Sequence, residues 1–138
     1  MSEQNKALMR RIYDVFNTGN LAALDELVDA NIVDHVPIPA GQASGIEGVK
    51  QTIIRNRTGA PDLHYTVEDM IAEGDKVVAR VTTRGTHKGE FMGIPPTGKQ
   101  AINTGIDIIR FANGKAVEHW GEYNNLGLLR QLGVIPAR

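Results

Sequence analysis

With 138 residues, 41% apolar, 22% charged and a net charge of −1, the chain reads as a single domain over residues 1–138, large enough to bury a core. No stretch gathers Lys or Arg into a stripe, which argues against nucleic acid, because attachment to phosphate backbones needs clustered positive charge. Cysteine is absent, which excludes disulfides, thiol nucleophiles and thiolate metal sites together.

The opening segment, MSEQNKALMRRIYD, is polar and lacks the apolar stretch of a secretion signal, and no apolar run approaches membrane-spanning length. A cytoplasmic protein with no membrane contact is therefore expected. Leu8, Ile12, Val15 and Phe16 recur at helical spacing, and Gly19 closes that helix. Asn20 is placed to cap a second, short helix with Leu21, Leu24, Leu27 and Val28 on its apolar face. An extended piece from Ile32 to Val36 is stopped by Pro37 and Pro39. Ser44-Gly45-Ile46-Glu47 has the capping-box pattern and opens a third helix, with Ile46, Val49 and Ile53 on one side.

From His64 the period changes to two. Tyr65, Val67 and Ile71 alternate with polar residues, Glu73-Gly74-Asp75 turns the chain, and Val77, Ala79, Val81 and Thr83 continue the alternation. After a Pro/Gly loop from Gly93 to Gly98, a long strand is expected from about Lys99 to Phe111. Asn113-Gly114 then gives a tight hairpin, because both residues accept positive φ. A last strand covers Ala116 to about Asn124, and a short closing helix or turn covers Leu126 to Leu132. Helices followed by hairpin-linked strands predict an α+β fold: three N-terminal helices on a curved, mainly antiparallel sheet, enclosing a pocket between the layers.

Four stretches carry a family resemblance. They are Gly85 to Lys99 (GTHKGEFMGIPPTGK), Gly105 to Phe111 with Gly114 to Trp120, and the ending Asn125 to Gly133 (NLGLLRQLG). Together with the opening helix pair they resemble SnoaL-like polyketide cyclases, and the likeness covers essentially the whole chain. It implies the cone-shaped fold of the nuclear-transport-factor-2 (NTF2-like) and ketosteroid-isomerase superfamily. It also implies a homodimer or higher homo-oligomer joined through the sheet, and an intramolecular aldol ring closure on a small molecule without metal or cofactor. The family's catalytic aspartate is expected four residues after the tryptophan, where this sequence has Asn124. An amide donates to an oxyanion but takes no proton at neutral pH.

Aldol chemistry needs an acid or base beside an activated carbon, donors for the enolate oxygen and a dry pocket. Along the last strand Glu118, Trp120, Glu122 and Asn124 share one face. A two-residue hairpin loop sets Asp107 across from Trp120 and Gly105 across from Glu122; a three-residue loop with a bulge pairs Asp107 with His119 instead. Asp107 belongs to both clusters and sits among Ile106, Ile108 and Ile109, where an unpaired carboxylate is costly. Asp107 and Glu122 are thus the catalytic candidates, with Trp120, Asn124, His35, His87 and His119 as substrate contacts. Asp34 and His35 are adjacent on an extended segment and point to opposite faces. No HExxH pattern or helical His pair is present, so no metal is expected. The leading expectation is a cofactor-independent lyase or isomerase. Beside it stand a non-catalytic binder of a small hydrophobic ligand, suggested by Asn124, and an epoxide hydrolase using Arg80 or Arg84 in an Asp-Arg-Asp relay.

Overall fold

The computed structural model describes residues 2–37 and 39–136. Helix α1 (Ser2–Thr18) buries Met9, Ile12, Tyr13 and Val15, the spacing of one helical face. It ends where Gly19 takes φ +76° and returns its N–H to the Val15 carbonyl at 2.7 Å, the left-handed cap that glycine adopts without a Cβ penalty. A 3-10 turn (Leu21–Ala23) leads into a single helical turn, α2 (Leu24–Leu27), and strand β1 (Val28–Asp34) follows at once.

Three local expectations are corrected here. Asn20 makes no side-chain cap, its backbone standing at φ −76°, ψ 81° rather than in the usual extended cap conformation. Val28 is extended and pairs with Ala116 as the first residue of β1; an apolar residue four after Leu24 suits a helix stripe and a buried strand alike. Helix α3 (Gly45–Gly59) buries Ile46 and Ile53, but Ser44 makes no capping bond. The chain enters α3 through Gly45 at φ +67°, not in the helical conformation that a capping box requires.

The sheet comprises β1, β2 (His64–Glu73), β3 (Lys76–Thr86), β4 (Gln100–Ala112) and β5 (Lys115–Tyr123), and helix α4 (Asn125–Gln131) closes the described fold. The strand order is β1-β5-β4-β3-β2, with β1 parallel to β5 and all other pairs antiparallel. Val77, Ala79 and Val81 of β3, Ile109 and Phe111 of β4 and Ala116 of β5 form one core with α1 and α3 on the inner face. Arg57 ties the ends together: its guanidinium donates to the carbonyls of Phe16, Asn17, Leu63 and Pro61.

Two bulges decide which residues face inward. In β2 the register slips between Val67 and Asp69, so Met70 and Ala72 join the core and Ile71 points out at 64% exposure. Of the two alternative loops, the β5 hairpin has the two-residue one, with Asn113 and Gly114 both at positive φ and Ala112 paired with Lys115. One residue further on the register slips, so that Asp107 faces Gly121 rather than Trp120 or His119. An extra residue reverses the facing of everything beyond it.

Among the described residues, one cleft of about 360 Å³ opens between the ends of α1 and α3 and another of about 290 Å³ beside Arg80, Ile106 and Glu122. Neither is lined by Asp107. The enclosed pocket expected between the layers is neither of these clefts; the Tyr13 and Tyr123 hydroxyls stand against the Asp107 carboxyl.

Candidate active site

Asp107 lies on β4 with its side chain toward the helices, and the residue is 6% exposed. Its carboxyl accepts three hydrogen bonds. Tyr13, brought from α1 by its place in the buried stripe, donates to Oδ2 at 2.5 Å. Tyr123 donates to Oδ1 at 2.5 Å, and His119 Nε2 lies 2.8 Å from the same oxygen. The donors offset the cost of burying a carboxylate on the inner face of the sheet.

Glycine makes the arrangement possible. Gly121 faces Asp107 and Gly105 faces Tyr123. A Cβ at Gly105 would strike the Tyr123 ring, and one at Gly121 would strike its hydroxyl and come within 2.9 Å of Asp107 Oδ1. The Tyr123 ring therefore rests where two neighbouring residues have no side chain. At 37% exposure it is also the outermost cover of the carboxyl. Behind it Tyr13, Tyr65 and Phe16 form an aromatic wall, with ring centroids 6.0 Å and 5.4 Å apart along the series.

His119 is held at both ends. Its Nδ1 lies 3.0 Å from Asp34 Oδ1, presented by the parallel strand β1. Burial works against a charged imidazole, but the bonds to Asp107 and Asp34 outweigh it and push its pKa up to about 9. Burial also raises Asp34, yet the His119 bond and charge leave its carboxyl below the usual range. Burial and the neighbouring Asp107 charge push Tyr13 and Tyr123 far above the ordinary phenol range, so both are neutral donors. Tyr65 rises to about 12, mainly through burial. The cluster thus offers one acceptor, Asp107, beside three donors. That is the equipment for taking a proton from carbon and steadying the oxyanion that results. With both ring nitrogens of His119 engaged, none is left for a metal, and no metal-binding cluster occurs among the described residues.

Of the residues expected at the site, the structure brings together Asp107 and His119. The others are placed elsewhere. Glu122 pairs with Ile106 and Trp120 with Ile108 on the outer face, because the β5 bulge reverses their facing. His35 is on the outer face too, stacked on Trp120 at 5.0 Å and bonded to Glu118 at 2.6 Å. Asp34 and His35 do point to opposite faces. Asn124 caps α4 by accepting the Gly127 N–H at 3.0 Å. His87 is buried one residue beyond β3 and takes the Thr97 N–H on Nδ1, pinning the loop before β4. It stands eight residues along from Ala79, the partner of Asp107, or about 26 Å of strand at 3.3 Å per residue. Arg80 and Arg84 alternate with the inward Ala79 and Val81, and Arg80 lies 3.9 Å from Asp69 on the outer face. Among the described residues, the Asp-Arg-Asp relay has no arginine beside Asp107. Tyr13, Tyr123 and Asp34 escaped the sequence reading. Tyr13 adjoins a stripe residue, Ile12, and no motif singles it out; Tyr123 and Asp34 become visible only with the bulge and the β1–β5 pairing in hand.

The geometry defines an α+β protein with an acid/base cluster on the inner face of its sheet. The model of the SnoaL-like polyketide cyclases matches residues 6–132, and the chain belongs to that family, whose fold is NTF2-like. It is 27% identical over 136 residues, spanning 91% of this chain and 88% of the relative, to the aklanonic acid methyl ester cyclase DnrD of Streptomyces peucetius. Among solved structures it is similar to TsrD of Streptomyces laurentii, with TM-score 0.88 and 35% identity over 96% of this chain and 97% of that one. It is similar too to IdmH of Streptomyces antibioticus, with TM-score 0.83 and 36% identity over 94% and 99%. No helix among the described residues is long and apolar enough to cross a membrane.

Proposed function

We propose that the chain closes a ring in a polyketide-type small molecule by an intramolecular aldol reaction, with Asp107 as the acid/base group. Asp107 takes a proton from a carbon flanked by carbonyls, and the C–H electron pair becomes an enolate. That carbon attacks a ketone within the same molecule, a C–C bond forms, and the new alkoxide recovers a proton. The product is an isomer, so no co-reactant is consumed. His119 and the two tyrosines supply donors for the developing oxyanion. Tyr123, the exposed cover, swings aside to admit the substrate. The observation that carries this reading is the Asp107 carboxyl, buried and surrounded only by donors.

The outer face supports self-association as part of the same proposal. Ile71, Val78, Ile108 and Trp120 form a continuous row across β2, β3, β4 and β5, an apolar stripe suited to a second copy. Sedimentation is expected to show a dimer or larger species at micromolar concentration, and a monomer alone would contradict this part. The catalytic part is tested by incubating the purified chain with aklanonic acid methyl ester, the compound named for DnrD. Chromatography with mass detection should reveal a product of unchanged mass. A ligand retained in native mass spectrometry with no conversion would instead favour a binding protein, the reading that Asn124 in place of the family acid suggests.

A further inference from the structure

We propose that Asp34 is a positioning residue that holds His119 as the doubly protonated imidazolium. It does so by accepting the Nδ1 proton while Asp107 accepts the Nε2 proton. The inference deepens the acid/base reading and rests on it for its catalytic meaning.

A neutral imidazole has one N–H and one bare nitrogen, and a carboxylate only accepts. Here both nitrogens face carboxyl oxygens, at 2.8 Å to Asp107 and 3.0 Å to Asp34. A neutral ring would set a lone pair against one of them; the imidazolium makes both contacts charge-assisted bonds. Asp34 is held in this pose. The Val36 N–H donates to the same Oδ1 at 2.9 Å, β1 runs beside β5 with Asp34 level with His119, and the His35 N–H donates to the His119 carbonyl at 2.9 Å.

The remaining groups near the ring do not compete. The Tyr123 hydroxyl lies 3.5 Å from Nε2, and Tyr13 reaches the ring only through Asp107; both phenols are neutral over the range where His119 titrates. His35 bears on Asp34 from the other face and is engaged by Glu118. The cation on His119 is therefore set by two carboxylates: Asp107 at the reacting position, and Asp34 at the rim with 31% side-chain exposure. His119 is then a cation beside the reacting carboxyl at neutral pH and does not act as a base.

Nitrogen-15 NMR of the imidazole rings tests this without substrate. In the native protein both His119 nitrogens should carry protons at pH 7.5, with proton loss centred near pH 9. Asp34→Asn keeps an acceptor for Nδ1–H but removes the charge, so the midpoint should fall by at least about one unit, a tenfold loss in proton affinity. Asp34→Glu should restore most of it, and the alkaline limb of the rate profile should move in parallel. A contact that merely staples β1 to β5 would lower thermal stability and leave that midpoint unmoved, which would overturn the proposal. A neutral, single-tautomer His119 in the native protein at pH 7.5 would overturn it too, even if Asp34→Asn does not fold. An inactive protein with a cationic His119 would refute ring closure alone, and an active one with a neutral His119 would refute this inference alone.

Discussion

Gly121→Ala exposes how closely the site is fitted. Gly121 is free of the left-handed φ that restricts other glycines of the chain, so the backbone accepts alanine. In a strand that exchange ordinarily gains roughly 0.5–1 kcal/mol by restricting the unfolded chain. Here the new methyl occupies the position of the Tyr123 hydroxyl and lies 2.9 Å from Asp107 Oδ1. The flexible end of Tyr123 gives way before the strand does. Its ring, already 37% exposed, turns toward solvent and its bond to Asp107 is lost. A hydrogen bond to a charged partner contributes about 1.5–3 kcal/mol, so the net loss should be about 1–2 kcal/mol. For a domain of this size that is a drop of roughly 3–8 °C in Tm. Thermal unfolding followed by circular dichroism measures it, and a double-mutant cycle with Tyr123→Phe isolates the hydroxyl. With the hydroxyl already gone, Gly121→Ala should cost less by the value of the lost bond, while the 2.7 Å approach to the ring carbon Cζ remains. A Gly121→Ala protein as stable as the native one, or more so, would refute the packing of Tyr123 over these glycines.

The pH dependence of stability should carry the His119 signature. Its folded pKa of about 9 exceeds the ordinary 6.5, so the folded state binds the proton more tightly than the unfolded chain. That contribution, roughly 3 kcal/mol, is complete below pH 6.5 and lost between pH 6.5 and about 9. Urea unfolding at pH 6 and pH 9.5 measures the loss, and His119→Gln should remove most of the difference. Arg57→Met leaves four carbonyls without their donor and should cost about 2–4 kcal/mol, read from the urea midpoint, with the α1–α3 end exchanging amide hydrogen first.

The chain order of elements, the Asn-Gly hairpin and the singling out of Asp107 as a carboxyl in an apolar strand follow from periodicity and composition. The membership of the site does not, because it depends on parity. Alternation along a strand is readable only while the register is unbroken, and both β2 and β5 carry one extra residue. Val67 and Ile71 are four apart and look alike in sequence, yet the slip between Val67 and Asp69 sends Ile71 outward. The β5 slip places His119 and Tyr123 with Asp107 and sends Trp120 and Glu122 outward. Nothing in Lys115-Ala116-Val117-Glu118 announces that slip, since each of these residues is acceptable in a regular strand. Asp34 was out of reach for another reason: it arrives through a parallel pairing between strands far apart in the chain, which local pattern does not encode.

We propose Asp107, and not Glu122 on the outer face, as the acid/base group. Asp107→Asn and Glu122→Gln each exchange a carboxylate for an amide of the same shape, one on the inner face and one on the outer. Single-turnover rates for both variants on a substrate that the native protein cyclises decide the matter. The account predicts a fall of roughly 10²- to 10⁴-fold for Asp107→Asn and a change within about twofold for Glu122→Gln. Undiminished turnover in Asp107→Asn, or the large loss appearing in Glu122→Gln instead, would contradict it.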